Sequence, residues 1–301
     1  EIHNMLRILL FLATNVAVLA LVAGIFRGLG LEQYLASQGI HTDTTALLVF
    51  CGVMGLTGSF ISLLLSKTMA RMGTATRIID QPTTAEERWL VDTVGELARK
   101  AGIGMPEVGI FPARQANAFA TGWNKNHALV AVSAGLLERF SRDEARAVLA
   151  HEIGHVANGD MVTLALIQGV LNTFVLFLAR VLGSVVDRVV FKNERGHGPG
   201  HFLVVMVLQV VLGILASMIV LAFSRWREFR ADAAGARLAS RGAMIAALQQ
   251  LQRETQAQVP NELPDSLTAL GISSGWRQHA TRLFLSHPPL EERIEALRRG
   301  L

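Results

Sequence analysis

The chain has 301 residues, of which 51% are hydrophobic and only 17% charged, and its mean hydropathy is +0.38. Soluble domains carry about 25% charged residues, so one large soluble core is excluded and a membrane protein with a soluble part is expected. The net charge of +4 would suit a nucleic acid, but the basic residues flank apolar runs and no aromatics interleave with them. No nucleic-acid partner is therefore expected. The single cysteine, Cys51, rules out a disulfide framework and a thiolate zinc site.

Glu1–Asn4 precede Met5 and are read as a tag remnant. Uncharged runs then cover residues 8–26, 44–66, 161–179 and 202–224, each long enough to cross the hydrocarbon core. The third is carried to about 182, past an Arg180 able to snorkel. Residues 5–66 form a transmembrane hairpin, and 161–224 a second transmembrane or membrane-embedded one, with spans of about 161–182 and 202–224. Lys67, Arg71 and Arg77 follow the second run, whereas residues 27–43 hold Arg27 against Glu32 and Asp43. By the positive-inside rule residues 67–160 are cytosolic, and four spans return 225–301 to the same side. The connector 180–201 is expected outside despite carrying Arg180, Arg188, Lys192 and Arg195.

Within 67–160, Thr84–Lys100 reads as an amphipathic helix, with Trp89, Leu90, Val94 and Leu97 on the buried face and Glu86, Glu87 and Arg88 opposite. Short strands are expected at Pro106–Phe111, Asn117–Gly122 and His127–Val132, with a turn at Trp123–Asn126 before the last. Ser141 and Glu144 form a capping-box start for a helix that stops at Asn158-Gly159. After the fourth run an Ala-rich helix continues to about Glu254, with Gly235 and Gly242 as weak points. Residues 256–285 are loop-like, and Leu290–Arg299 is a short charged helix.

The Ser141 helix carries His151-Glu152-Ile153-Gly154-His155, an H-E-x-x-H pattern. Histidines four apart share a helix face, so both imidazoles can reach one metal, and Glu152 can take a proton from water beside it. Chance also produces this pattern, so a third ligand is needed. With no usable thiol it must be His, Asp or Glu. The motif helix ends just before the third span, and the fourth returns to the same side. Glu228, four residues beyond it, can reach the metal, and Asp232, one turn on, can accept a hydrogen bond from a ligand histidine.

With Met5–Phe11, Asn117–Ala120 and Ser286-His287-Pro288-Pro289, these motifs resemble the HtpX-type membrane-bound zinc metalloproteases of the M48 group, related to the Ste24 CAAX-processing enzymes. The resemblance covers nearly the whole chain. It implies a mainly α integral membrane protein, with four transmembrane helices and a cytosolic α+β zincin-like metalloprotease domain bearing a small β-sheet. It implies one Zn2+ per chain, held by His151, His155 and Glu228, with Glu152 as general base. The strand of Asn117, Ala118, Phe119 and Ala120 is either an edge to which substrate peptide adds or an ordinary interior strand. His287 is either a surface histidine or, as in a similar soluble M48 protease, an oxyanion or resting-state ligand.

The expected activity is zinc-dependent cleavage of cytoplasmic regions of misfolded or damaged membrane proteins, a quality-control and stress-response role. Its site is the bacterial cytoplasmic (inner) membrane, and its partners are unfolded polypeptide or membrane-protein substrates and the lipid bilayer. A homo-oligomer is left open. The alternatives are a Ste24-like prenyl-protein processing protease and a non-enzymatic membrane chaperone with structural zinc.

Overall fold

The computed structural model describes residues 20, 23–24, 27–28, 30–37, 43–193, 199–256 and 287–300. The chain divides into two compact units, residues 1–61 with 165–220, and 62–164 with 221–301.

The first unit holds the short helix α1 (Leu31–Ser37) and the apolar parts of three long helices, α2 (Thr44–Gly73), α6 (Asp160–Val189) and α7 (Pro199–Leu238). Among the described residues these three are long and apolar enough to cross a membrane. The expected first span, 8–26, falls almost wholly outside the described residues. Large side chains such as Val53, Phe60, Phe202, Val210 and Ile219 are exposed, as suits helices facing lipid. α2 and α6 approach closely: a Cβ on Gly55 would stand 2.7 Å from the Thr173 backbone nitrogen. Leu48, Cys51 and Phe177 pack beside this seam.

The second unit is built on a four-stranded sheet. β1 (Arg77–Ile78) pairs antiparallel with β2 (Glu107–Phe111), β2 parallel with β4 (His127–Ser133), and β4 antiparallel with β3 (Ala118–Asn124). The order β1-β2-β4-β3 leaves β3 at an edge. α3 (Ala85–Ala101) starts at a capping box of Thr84 and Glu87 and ends at Gly102, whose φ of 68° is the left-handed form that glycine adopts at least cost. Its Leu90, Val94 and Leu97 are fully buried, each stabilising by about 1.5–3 kcal/mol. They share a core with Val130 of β4, with Leu149 and Ile153 of α5 (Arg142–Asn158), with Leu248 of α8 (Arg241–Gln256) and with Leu297 of α9 (Leu290–Arg299).

Several expectations change. Glu87, expected on the solvated face of α3, is buried, because its carboxylate accepts from Arg77 and from the Thr83 backbone and hydroxyl. The helix after the fourth apolar run is an unbroken part of the 40-residue α7 and breaks at Ser240, which caps α8, rather than at Gly235 or Gly242. α1, β1 and α4 (Ala134–Arg139) were not expected at all. The expected loop at 256–285 lies outside the described residues, apart from Gln256, which ends α8.

Candidate metal centre

Three elements of the second unit meet at the motif. α5 begins at the expected capping box, with the Ser141 hydroxyl accepting from the Glu144 amide, and ends at Gly159 with φ 71°. Its His151 and His155 lie one turn apart, and their Nε2 atoms are 3.1 Å from one another. α7 contributes Glu228 and Asp232, both on one side of the helix as their spacing dictates. α9 contributes Arg293. Glycines let α5 and α7 approach: a Cβ on Gly154 would stand 2.8 Å from the Ala234 Cβ, and one on Gly235 would stand 3.3 Å from the His151 amide nitrogen. Gly235 is therefore a point of close contact rather than a weakness.

Glu228 is fully buried. Its Oε1 is 3.2 Å from His155 Nε2, and its Oε2 is 3.5 Å from His151 Nε2. The outer ring nitrogens face carboxylates as well. His155 Nδ1 donates to Asp160 Oδ2 at 2.7 Å. His151 Nδ1 is 2.9 Å from Asp232 Oδ1, although it is not aligned as a hydrogen bond. A carboxylate can only accept, so a neutral His155 carries its proton on Nδ1 and turns its Nε2 lone pair inward, and a neutral His151 with its proton towards Asp232 does the same. Two nitrogen lone pairs and a carboxylate thus converge, with Glu228 Oε1 buried and lacking a hydrogen-bond partner. A buried carboxylate oxygen left without a hydrogen-bond partner beside two imidazole nitrogens fits a cation, and a set of two imidazoles and one carboxylate fits zinc. His151, His155 and Glu228 offer ligand atoms that all lie within 4.8 Å of one another.

The surrounding charge has the same sense. Burial pulls the histidine pKa values down, but carboxylate contacts outweigh it. Asp232 and Glu228 hold His151 above its usual value, and Asp160 and Glu228 raise His155 to about 9. Burial would raise Glu228, yet the three imidazoles around it hold it far below the usual carboxylate range.

Asp232 is fixed in turn by Arg293. The buried guanidinium grips it with two bonds, of 2.7 and 2.6 Å, and lies 3.7 Å from Glu228 Oε2. Arg293 and Asp160 were both missed in the sequence. In the sequence Asp160 is only the charged residue before an apolar run, and Arg293 one charge on a short polar helix. The exposed His287 places Nδ1 2.7 Å from Glu228 Oε2, at the rim of the cluster. Glu152 is half-buried beside His151. Ala118–Ala120 lie on the edge strand β3, next to α5. Asn117 precedes it, anchored by its amide donating to Ser133 Oγ at 2.9 Å. The other histidines of the described residues stand apart: His127 stacks on Trp123, and His201 is buried against α6 in the first unit.

A buried His-His-Glu cluster on paired helices beside a small sheet fits a metallopeptidase. The family model for peptidase family M48 matches residues 84–300, and the chain belongs to that family. It is 65% identical to Protease HtpX of Hahella chejuensis over 293 residues, covering 97% of this chain and 99% of that one. It is 62% identical to Protease HtpX of Pseudomonas fluorescens (strain SBW25) over 295 residues, covering 98% and 99%. Among solved structures, the crystal structure of S. mikatae Ste24p is similar in fold, with a TM-score of 0.58 at 20% identity, covering 92% of this chain and 66% of that one. The protein is a membrane-bound zinc metalloprotease.

Proposed function

We propose that His151, His155 and Glu228 hold the zinc, that Glu152 is the general base, and that the substrates are cytoplasmic regions of misfolded or damaged membrane proteins. The observation that carries this reading is the convergence of two buried imidazole nitrogens and a buried carboxylate oxygen, all within 4.8 Å of one another. The layout is that of the apolar runs: hairpins at 5–66 and 161–224, with 67–160 and 225–301 facing the cytoplasm of a bacterial inner membrane. The basic residues after the second run support that orientation. The name that the relatives carry supports a quality-control role.

Zinc supplies the charge that makes water a nucleophile near neutral pH and polarises the scissile carbonyl. Asp232, 2.9 Å from His151 Nδ1, orients that imidazole. Glu152, next to His151 and free of the cluster, accepts the proton of the attacking water and passes it to the leaving amine. β3, at the edge of the sheet among the described residues, offers that edge to an extended substrate, so that Asn117, Ala118, Phe119 and Ala120 bind peptide backbone beside α5. His287, on Glu228 at the rim, steadies the oxyanion or closes the site at rest.

The test is cleavage of an unfolded membrane protein by the full chain in lipid. Glu152→Gln keeps zinc and fold, and its rate falls by about 10²–10⁴-fold. Wild-type cleavage by that variant would contradict the mechanism.

A further inference from the structure

Asp160 stands where the motif helix hands over to the membrane helix. It is the first residue of α6, which then runs without a charge from Met161 to Ala179. Gly159, in the left-handed conformation that caps α5, turns the chain between the two helices. The turn carries the Asp160 side chain back onto the preceding helix, where its Oδ2 meets His155 Nδ1 at 2.7 Å. The carboxylate is almost fully buried, at 1% exposure. It stands at the N-terminal end of α6, the positive end of that helix's dipole.

The two imidazoles are therefore held in different ways. His151 leans on Asp232, which Arg293 fixes from α9. His155 has Asp160 on its outer nitrogen, and its Nε2 faces His151 and Glu228. With Nδ1 occupied, the ring cannot turn its protonated nitrogen inward without leaving Asp160 buried and unpaired, which is costly.

We propose that Asp160 is a positioning residue for the metal, acting through His155, and that it is the joint by which the first turn of α6 sets the second ligand's orientation. This rests on the reading of His155 as a zinc ligand. The acceptor role is the essential one: an oxygen must stand at Nδ1 to fix the tautomer, and the charge adds ligand basicity.

The experiment is zinc titration of the metal-free full chain in lipid nanodiscs against a competing fluorescent chelator, read as a dissociation constant without any protease assay. Asp160→Ala binds zinc about 10–100-fold more weakly than wild type. Asp160→Asn, whose amide oxygen still accepts from Nδ1, recovers most of that loss. Should the alanine variant not fold, Asp160→Thr serves in its place, since its hydroxyl suits a helix start but is too short to reach Nδ1. Binding by Asp160→Ala within about twofold of wild type would overturn the proposal. So would an asparagine variant as weak as the alanine one, since charge at the helix start would then explain everything. His155→Ala and Glu228→Ala separate this from the site itself. Their loss of zinc beside an unaffected Asp160→Ala refutes the positioning role alone, whereas retention of zinc by both would overturn the metal site and the proposal with it.

Discussion

Replacing Arg293 with methionine tests how the site is held. Arg293 is 6% exposed, bonds Asp232 through two nitrogens at 2.7 and 2.6 Å, and stands 3.7 Å from Glu228. Burial disfavours its charge, but Asp232 more than compensates and holds its pKa above the usual value. Methionine fills much of the same space yet leaves Asp232 buried without its cation. Breaking a buried pair from one side costs about 3–5 kcal/mol. For a domain of this size, 3 kcal/mol lowers Tm by about 6–12 °C. The assay is thermal unfolding of the metal-free protein in detergent. Removing both partners, as Arg293→Met with Asp232→Leu, should return most of the stability, because replacing a buried ion pair by apolar groups is often neutral. The same double variant binds zinc about 10–100-fold more weakly, because His151 loses its carboxylate. A single Arg293→Met variant within about 1 kcal/mol of wild type, a Tm change of only about 2–4 °C, would refute the reasoning.

Two further outcomes follow from packing and charge. Gly154→Val drives side-chain atoms into Ala234 and the Ala231 carbonyl, pushing α7 from α5; overpacking costs about 1–3 kcal/mol, and zinc affinity should fall as Glu228 moves away, whereas unchanged affinity would show that the helices need not touch. The bonds from Thr83 and Arg77 hold the pKa of Glu87 down to about 2, from an ordinary 4.5. A lowered carboxylate pKa stabilises the fold above the unfolded value, and the gain fades as pH falls from about 4.5 to about 2. Glu87→Gln should therefore be less stable than wild type at pH 7 and nearly equal to it near pH 2, as read by unfolding midpoints across that range.

What the sequence made legible was local or periodic. The α5 start at Ser141, its stop at Gly159, the α3 face of Leu90, Val94 and Leu97, and the Leu290–Arg299 helix all follow from caps and spacing. His151, His155, Glu228 and Asp232 lie together; four-residue spacing sets the two helix faces, and the expected return of the fourth apolar run to the same side brings them near each other. What escaped depended on tertiary partners. Nothing local marks Arg293 as buried, since its helix is charged on most sides and only α7 supplies Asp232. Asp160 looked like the polar edge of a span because its contact runs backward around a glycine turn. Glu87 looked solvated because Arg77 and Thr83 lie outside its helix. The two-residue β1 is too short to show any alternation.

The central claim is that two imidazoles and one carboxylate hold the zinc with one position open. X-ray absorption at the zinc edge of the loaded full chain, in lipid, reads that directly. The account predicts two permanent imidazoles at about 2.0–2.1 Å with the Glu228 carboxylate, and a fourth position that a small anion takes, whether water or His287 holds it at rest. A third imidazole, from His287, that a small anion does not displace would mean a closed structural site and would contradict it.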